Sequence, residues 1–393
     1  MHRLTRDPRR RSDLGGRQAA RQQLLFQQLK QIPKLDAEQS VALAEAAARF
    51  LEAKPPVSLS GLQAVYYLRR AAGPEVEAVL LKALEYPDPR VAMLALDAIA
   101  VVKPEAAQPR LKEKLSHPWF PQSYAFRRSL VDAAAAYANA AAVSFLIELL
   151  PDLDGQLEFL TVQHLMKLSG QNFANDSKKW KEWWLAESGS YRGPLATSKP
   201  DEPIDAQKLA ANWNQKLPEF YEVPLFAKKI VFLIDNSRSM LSTKENVTRL
   251  ETAQEELTEA ISAMASDVEF NIIAYNDQLD IWQPQLVPAS TAAKSDAARF
   301  TNTLSAFGKT AAYDALSRGL EFDSNTELLV YLSDGKPTVG KIVEPFAIIT
   351  AITEQNMFQK TSIDTLGIDT EGESEQFMQY LANDNFGTYY KIR

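Results

Sequence analysis

Residues 230–240 read Ile-Val-Phe-Leu-Ile-Asp-Asn-Ser-Arg-Ser-Met. An unbroken apolar run rich in β-branched side chains needs cover on both faces, which predicts a strand inside a sheet flanked by helices. The chain from residue 227 to 393 keeps to that plan. Strand-like runs at 229–234, 269–275, 278–282, 328–332, 362–367 and 387–392 alternate with helix-like runs at 250–264, 291–304, 311–320, 345–356 and 374–381. Such alternation predicts an α/β fold with a doubly wound, mostly parallel sheet. The short connection at Asp277-Gln278 predicts one antiparallel hairpin edge. Thr248 and Glu251 have capping-box spacing. Leu250, Ala253, Leu257, Ala260, Ile261 and Met264 form the apolar stripe of the helix that follows.

A chain of 393 residues exceeds one ordinary core and implies two or three domains. Residues 22–187 read as wholly helical, with apolar positions three and four apart, as in Val91, Leu94, Ala95, Ala98, Ile99 and Val102. A weak repeat starts helices near Leu62, Val91, Phe126 and Phe159, about 30–35 residues apart, each followed by a second amphipathic helix. This region resembles HEAT-type repeats, and the resemblance implies an α-solenoid of about four units with an extended surface for a second partner. An irregular helical bundle is the alternative. Trp180, Trp183 and Trp184 lie in a segment that suits a helix closing the open end of the stack, in preference to a peptide-binding patch. Residues 188–226, rich in Gly, Ser and Pro, read as a linker, within which 206–216 can form a short helix. Residues 1–21 carry seven arginines against Asp7 and Asp13 and read as a basic disordered tail.

Hydrophobic residues make up 46% and charged residues 24%, as in ordinary globular protein. A net charge of −7 argues against nucleic-acid binding, which needs a basic stripe. Cysteine is absent, so thiolate chemistry and disulfides are excluded and redox usage names no compartment. No apolar run is long enough to span a membrane. The first residues lack the apolar stretch of a secretory signal. The expectation is a cytoplasmic protein, or an exported one if the start is misassigned.

Asp235, Ser237 and Ser239 are hard oxygen donors at the carboxyl end of the strand run, where ligands bind in open α/β sheets. They suit a small hard cation and a binding role more than catalysis. Two further segments converge on the same sheet edge. Gly308-Lys309-Thr310 offers a hydroxyl at a helix start, and 328–334 is a second buried strand run ending in Asp334 before Gly335. Taken singly, any of these residues could simply cap a turn or a helix.

The ordered set Asp-x-Ser-x-Ser, Gly-x-Thr and Ser-Asp-Gly resembles the von Willebrand factor A family and its metal-ion-dependent adhesion site. The likeness covers residues 227–393, with all five ligand positions intact. Flanking residues agree: Arg249-Leu-Glu-Thr-Ala, Tyr313-Asp-Ala-Leu and Ser333-Asp-Gly-Lys-Pro-Thr-Val-Gly. The resemblance implies a Rossmann-like domain holding Mg²⁺, with Mn²⁺ or Ca²⁺ as alternatives. Ser237 and Ser239 would be direct ligands, and Thr310 would act directly or through water. Asp235 and Asp334 would act mainly through bridging waters. Neutral hydroxyls leave the cation's charge poorly neutralised, so a partner protein's Asp or Glu would complete the shell. The implied function is metal-dependent protein binding or adhesion. The alternatives are a scaffold with a vestigial metal site and, less favoured, a metal-dependent hydrolase.

Competing motifs fail on particular residues. Gly335–Lys341 imitates a phosphate loop, but Ile342 stands where Ser or Thr should be and Pro337 removes an amide. As a calcium EF-hand loop the Asp235 segment has Met240 and Asn246 where Gly and Glu are needed. Ser237 replaces the second acid expected of aspartate phosphoryl-transfer enzymes. His2, His117 and His164 lie far from the strand-end loops, and His164 reads as a packed or half-exposed residue of a helix face. These readings point to a protein that is not an enzyme.

Overall fold

The computed structural model describes residues 34–52, 57–194 and 205–392; the basic segment 1–21 lies outside them. Two compact units divide the chain, residues 1–113 and 114–393. The first contains helices α1 (Ala37–Glu52), α2 (Leu59–Tyr67), α3 (Pro74–Leu84), α4 (Pro89–Val102) and α5 (Gln108–Glu113). Proline occupies the first turn of α3 and of α4, where its missing amide costs nothing. The Asp88 carboxylate caps α4 at Arg90 N, 2.9 Å. Val65, Leu68, Leu80, Leu84, Leu94 and Ile99 are buried between these helices.

The second unit begins with α6 (Tyr124–Ala136), α7 (Ala140–Leu149), α8 (Gly155–Ser169) and α9 (Ser177–Glu187). In α9 the Trp180 ring is fully buried and its Nε1 donates to Ala174 O at 2.8 Å, while Trp183 and Trp184 are half-buried. The four helices share a compact unit with the sheet instead of grouping with α1–α5. Of the segment expected to be a linker, the described part from 205 is packed. It forms α10 (Ala206–Ala210) and the hairpin β1 (Glu219–Phe220) and β2 (Val223–Pro224), and it buries Leu209, Trp213, Leu217 and Phe220. These anchors stand four, four and three residues apart, a spacing that reads as helical, yet the helix ends at Ala210 and Phe220 enters the hairpin.

The remaining strands are β3 (Lys229–Asp235), β4 (Thr243–Lys244), β5 (Val247–Thr248), β6 (Glu269–Tyr275), β7 (Leu279–Ile281), β8 (Val287–Pro288), β9 (Leu328–Ser333), β10 (Ser362–Ile368) and β11 (Tyr389–Ile392). The main sheet runs β11-β10-β9-β3-β6-β7, with β8 also on β6. The pairs β3–β6, β3–β9, β9–β10 and β10–β11 are parallel; β7 and β8 lie antiparallel to β6. Helices α11 (Arg249–Ala263) and α12 (Thr291–Thr303) supply core residues such as Leu250, Leu257 and Ala297 to one face. Helices α13 (Ala312–Leu320), α14 (Pro345–Asn356) and α15 (Gly372–Asp384) supply Leu316, Ile352 and Phe377 to the other. The chain leaves β3 toward β6 and later crosses to β9 on the opposite side. The carboxyl end of β3 is therefore the switch point at which loops diverge and leave a crevice.

Candidate metal centre

Asp235 ends β3 with its side chain sealed from solvent, and the chain then turns on its own polar groups. The Ser237 amide donates to Asp235 Oδ1 at 2.8 Å, a local turn in which the carboxylate replaces a backbone acceptor. A short 3₁₀ turn over Arg238–Leu241 follows, pinned by the buried Met240. Next comes the hairpin β4–β5, whose two turn residues, Glu245 and Asn246, take φ of 55° and 67°. That geometry matches the twist of a two-residue hairpin. The expected capping box is formed: Thr248 Oγ1 accepts from Glu251 N at 3.1 Å, and Thr248 N donates to Glu251 Oε2 at 2.7 Å. This fixes the start of α11 and brings Arg249, its first residue, back over the crevice.

Four of the five expected residues join in one hydrogen-bonded chain. Ser239 Oγ donates to Asp334 Oδ1 at 2.7 Å, and the Ser237 and Ser239 hydroxyls are 3.0 Å apart. With the Ser239 proton committed to Asp334, the bond between the serines is left to the Ser237 hydroxyl as donor. The second oxygen of Asp235 accepts from Ser333 Oγ at 2.6 Å, which links the ends of β3 and β9. Thr310 stands on the neighbouring loop and makes no side-chain hydrogen bond to the other four. Its loop is nevertheless tied to theirs, by Arg238 N to Gly308 O at 3.3 Å and Phe307 N to Asn236 O at 3.0 Å. Gly308 adopts φ of 71°, and a Cβ there would stand 3.1 Å from the Asp277 carboxylate, so this turn favours glycine. Thr310 is 5% exposed, with its amide on Thr338 Oγ1 at 3.0 Å.

Burial pushes the Asp235 carboxyl up to about 6; hydrogen bonds from Ser333 and Ser237 oppose the rise, and the charge of Asp334 adds to it. The Asp334 side chain is fully buried, and its Oδ2 accepts from Arg249 Nη1 at 2.6 Å. Arg249 Nη2 reaches Asp369 at 2.9 Å. Burial works against the Arg249 charge, but these two acids hold its pKa above the ordinary value.

Ser333, Arg249, Asp369 and Asp277 are the site residues that sequence reasoning did not assign. Ser333 and Asp369 were findable in principle, since each closes or follows a strand at the same edge. The role of Arg249 depends on a contact across 85 residues and leaves no local signal.

The donors fit a hard divalent cation. All five are oxygens, they stand at one sheet edge, and the burial that raises Asp235 is a cost that a cation would offset. Among the described residues no group of three or more His, Cys, Asp or Glu side chains is placed to hold a metal. A cation here would therefore depend on the hydroxyls of Ser237, Ser239 and Thr310. The described histidines stand elsewhere. His164 bonds Asp132 at 2.9 Å, and His117 stacks on Phe126.

Among known families, residues 228–391 match the one described as von Willebrand factor type A domain. Human inter-alpha-trypsin inhibitor heavy chain H4 is 31% identical over 176 residues, which cover 42% of this chain and 18% of that protein. Heavy chain H2 from Sus scrofa is 28% identical over 178 residues, again 42% and 18%. The matched region thus spans under a fifth of these relatives. A solved structure, von Willebrand factor type A from Catenulispora acidiphila, is 23% identical with a TM-score of 0.36, covering 43% of this chain and 40% of that one.

Proposed function

Residues 228–391 form a von Willebrand factor type A domain, and from that premise we propose that the chain binds a protein partner through a Mg²⁺ ion held at the carboxyl edge of its sheet. Ser237 and Ser239 are the direct ligands and Thr310 a direct or water-mediated one. Asp235 and Asp334 orient waters and hydroxyls around the ion. Such a shell carries little negative charge, so the metal keeps its attraction for a carboxylate, which a partner's Asp or Glu supplies. The observation that carries this reading is the hydrogen-bonded chain through Ser237, Ser239 and Asp334, with Asp235 locked beside it by Ser333. The role is binding in preference to turnover: the described histidines stand away from the serine hydroxyls, so none is placed to act as their base. Helices α1–α5 of the first unit serve as a HEAT-like scaffold with room for a second partner, while α6–α9 share the unit of the sheet. Among the described residues no helix is long and apolar enough to cross a membrane.

One observation favours a second reading. The Arg249 guanidinium already neutralises Asp334, as an internal cation would in a scaffold whose metal site is vestigial. Affinity capture with the full chain, in Mg²⁺ and in EDTA, separates the two. Metal-dependent binding predicts partners that are retained in Mg²⁺, released by chelator and missed by Asp235→Ala. Partners retained equally in EDTA would overturn it in favour of the scaffold.

A further inference from the structure

The rim of the site has a composition of its own. Leu241 and Phe307 are each 51% exposed, and Val247 is 43% exposed. Leu241 closes the 3₁₀ turn that carries Ser239, and Phe307 precedes the Gly308 turn that leads to Thr310. The Phe307 amide donates to Asn236 O and the Arg238 amide to Gly308 O, so Leu241 and Phe307 belong to two loops tied together beside the donors. Bulky apolar groups held in solvent at a binding edge mark contact surface.

The charges are just as particular. Lys336 is paired with Glu373, and Arg249 with Asp334 and Asp369. Arg238 and Lys309 are exposed, and neither side chain has a carboxylate partner among the described residues. Arg238 lies between Ser237 and Ser239 in sequence, and Lys309 lies beside Thr310. The Asp277 carboxylate accepts the Lys309 backbone amide at 2.5 Å. A chain of net charge −7 thus presents two cations without side-chain ion pairs beside these oxygen donors.

Resting on the reading above, we propose that the rim selects its partner: the coordinating carboxylate lies in an acidic segment, with a second acid beside it and a bulky apolar residue next to both. The metal takes the first carboxylate. Arg238 and Lys309 attract the second, and Leu241 and Phe307 cover the apolar side chain. Complementary charge of this kind governs encounter and partner choice more than final affinity.

The test is selection of a random twelve-residue peptide library on the full chain in Mg²⁺, with elution by EDTA. Wild-type protein should enrich peptides holding two acids and a Leu, Ile or Phe close by. Leu241→Ser with Phe307→Ser should erase the apolar preference and weaken a selected peptide about tenfold, with Mg²⁺ affinity unchanged by calorimetry. Arg238→Glu with Lys309→Glu should replace the second acid by Lys or Arg. All four positions are exposed, so thermal melting should confirm intact folds. EDTA-eluted peptides that share one acid but no flanking preference would overturn the rim proposal alone. A wild type that yields no EDTA-eluted peptides would overturn the metal-dependent reading and the rim proposal with it.

Discussion

The two ends of the sheet treat their buried carboxylates in opposite ways. At the amino end, Glu327 precedes β9, and its Oε2 accepts from Gln156 N at 3.0 Å and Lys228 N at 2.9 Å. It thereby caps the start of α8 and joins that helix to the root of β3. Nearby, Arg128 of α6 donates to Ser362 Oγ, at the start of β10, at 2.9 Å, and Tyr124 N donates to Asn325 Oδ1 at 2.9 Å. At the carboxyl end of the same strands, Asp235 and Asp334 are held largely by hydroxyls and an arginine. Backbone amides have nowhere else to turn, whereas serine hydroxyls rotate freely to a new partner. One end is therefore fastened by obligatory bonds, and the other by bonds that can be exchanged for a ligand.

Removing the fastened carboxylate should have the largest effect. Glu327→Ala strands two buried amides, and we expect a loss of roughly 2–4 kcal/mol in urea unfolding. A loss below about 1 kcal/mol would mean that the two ends do not differ. Titration gives the next largest effect. Burial pushes Glu327 up to about 7; the amides of Gln156 and Lys228 and the charge of Arg127 oppose this, and that of Asp154 adds to it. The folded state thus holds this proton more tightly than the unfolded chain. The associated stability is full below the ordinary glutamate value of 4.5, falls as pH rises, and is gone above about 7. The drop is on the order of 3 kcal/mol. Glu327→Gln keeps an oxygen for both amides and should flatten that part of the pH profile. An unchanged slope would assign it elsewhere, for example to Asp364, which burial also raises to about 7.

Gly155 sharpens the comparison further. Its φ is 59°, and a Cβ there would press on the Glu327 carboxylate. Gly155→Ala should cost roughly 1–2 kcal/mol and be partly relieved in combination with Glu327→Ala, a coupling that a double-mutant cycle measures. Substitution at the open end should cost least. Ser239→Ala removes one exchangeable hydroxyl and should change stability by less than about 1 kcal/mol. The same change should weaken Mg²⁺ binding by at least about tenfold in the proposed site, since a direct ligand is lost.

The contrast also explains what could be read from sequence. The strand ending in Asp235, the Thr248–Glu251 cap and the helices of the α/β part declare themselves through short-range period and spacing. The fastened end is silent. Arg128 and Gln156 lie 234 and 171 residues from Ser362 and Glu327, and buried polar pairs that distant carry no periodic signature. The association of α6–α9 with the sheet was hidden for the same reason.

The open end is proposed to take a divalent cation. Titration calorimetry of Mg²⁺ into the full chain and into Asp235→Ala tests it most directly. The wild type should bind one Mg²⁺ per chain and the variant none, with the two proteins melting within a few degrees of each other. Absence of binding by wild type, or equal binding by both, would contradict it.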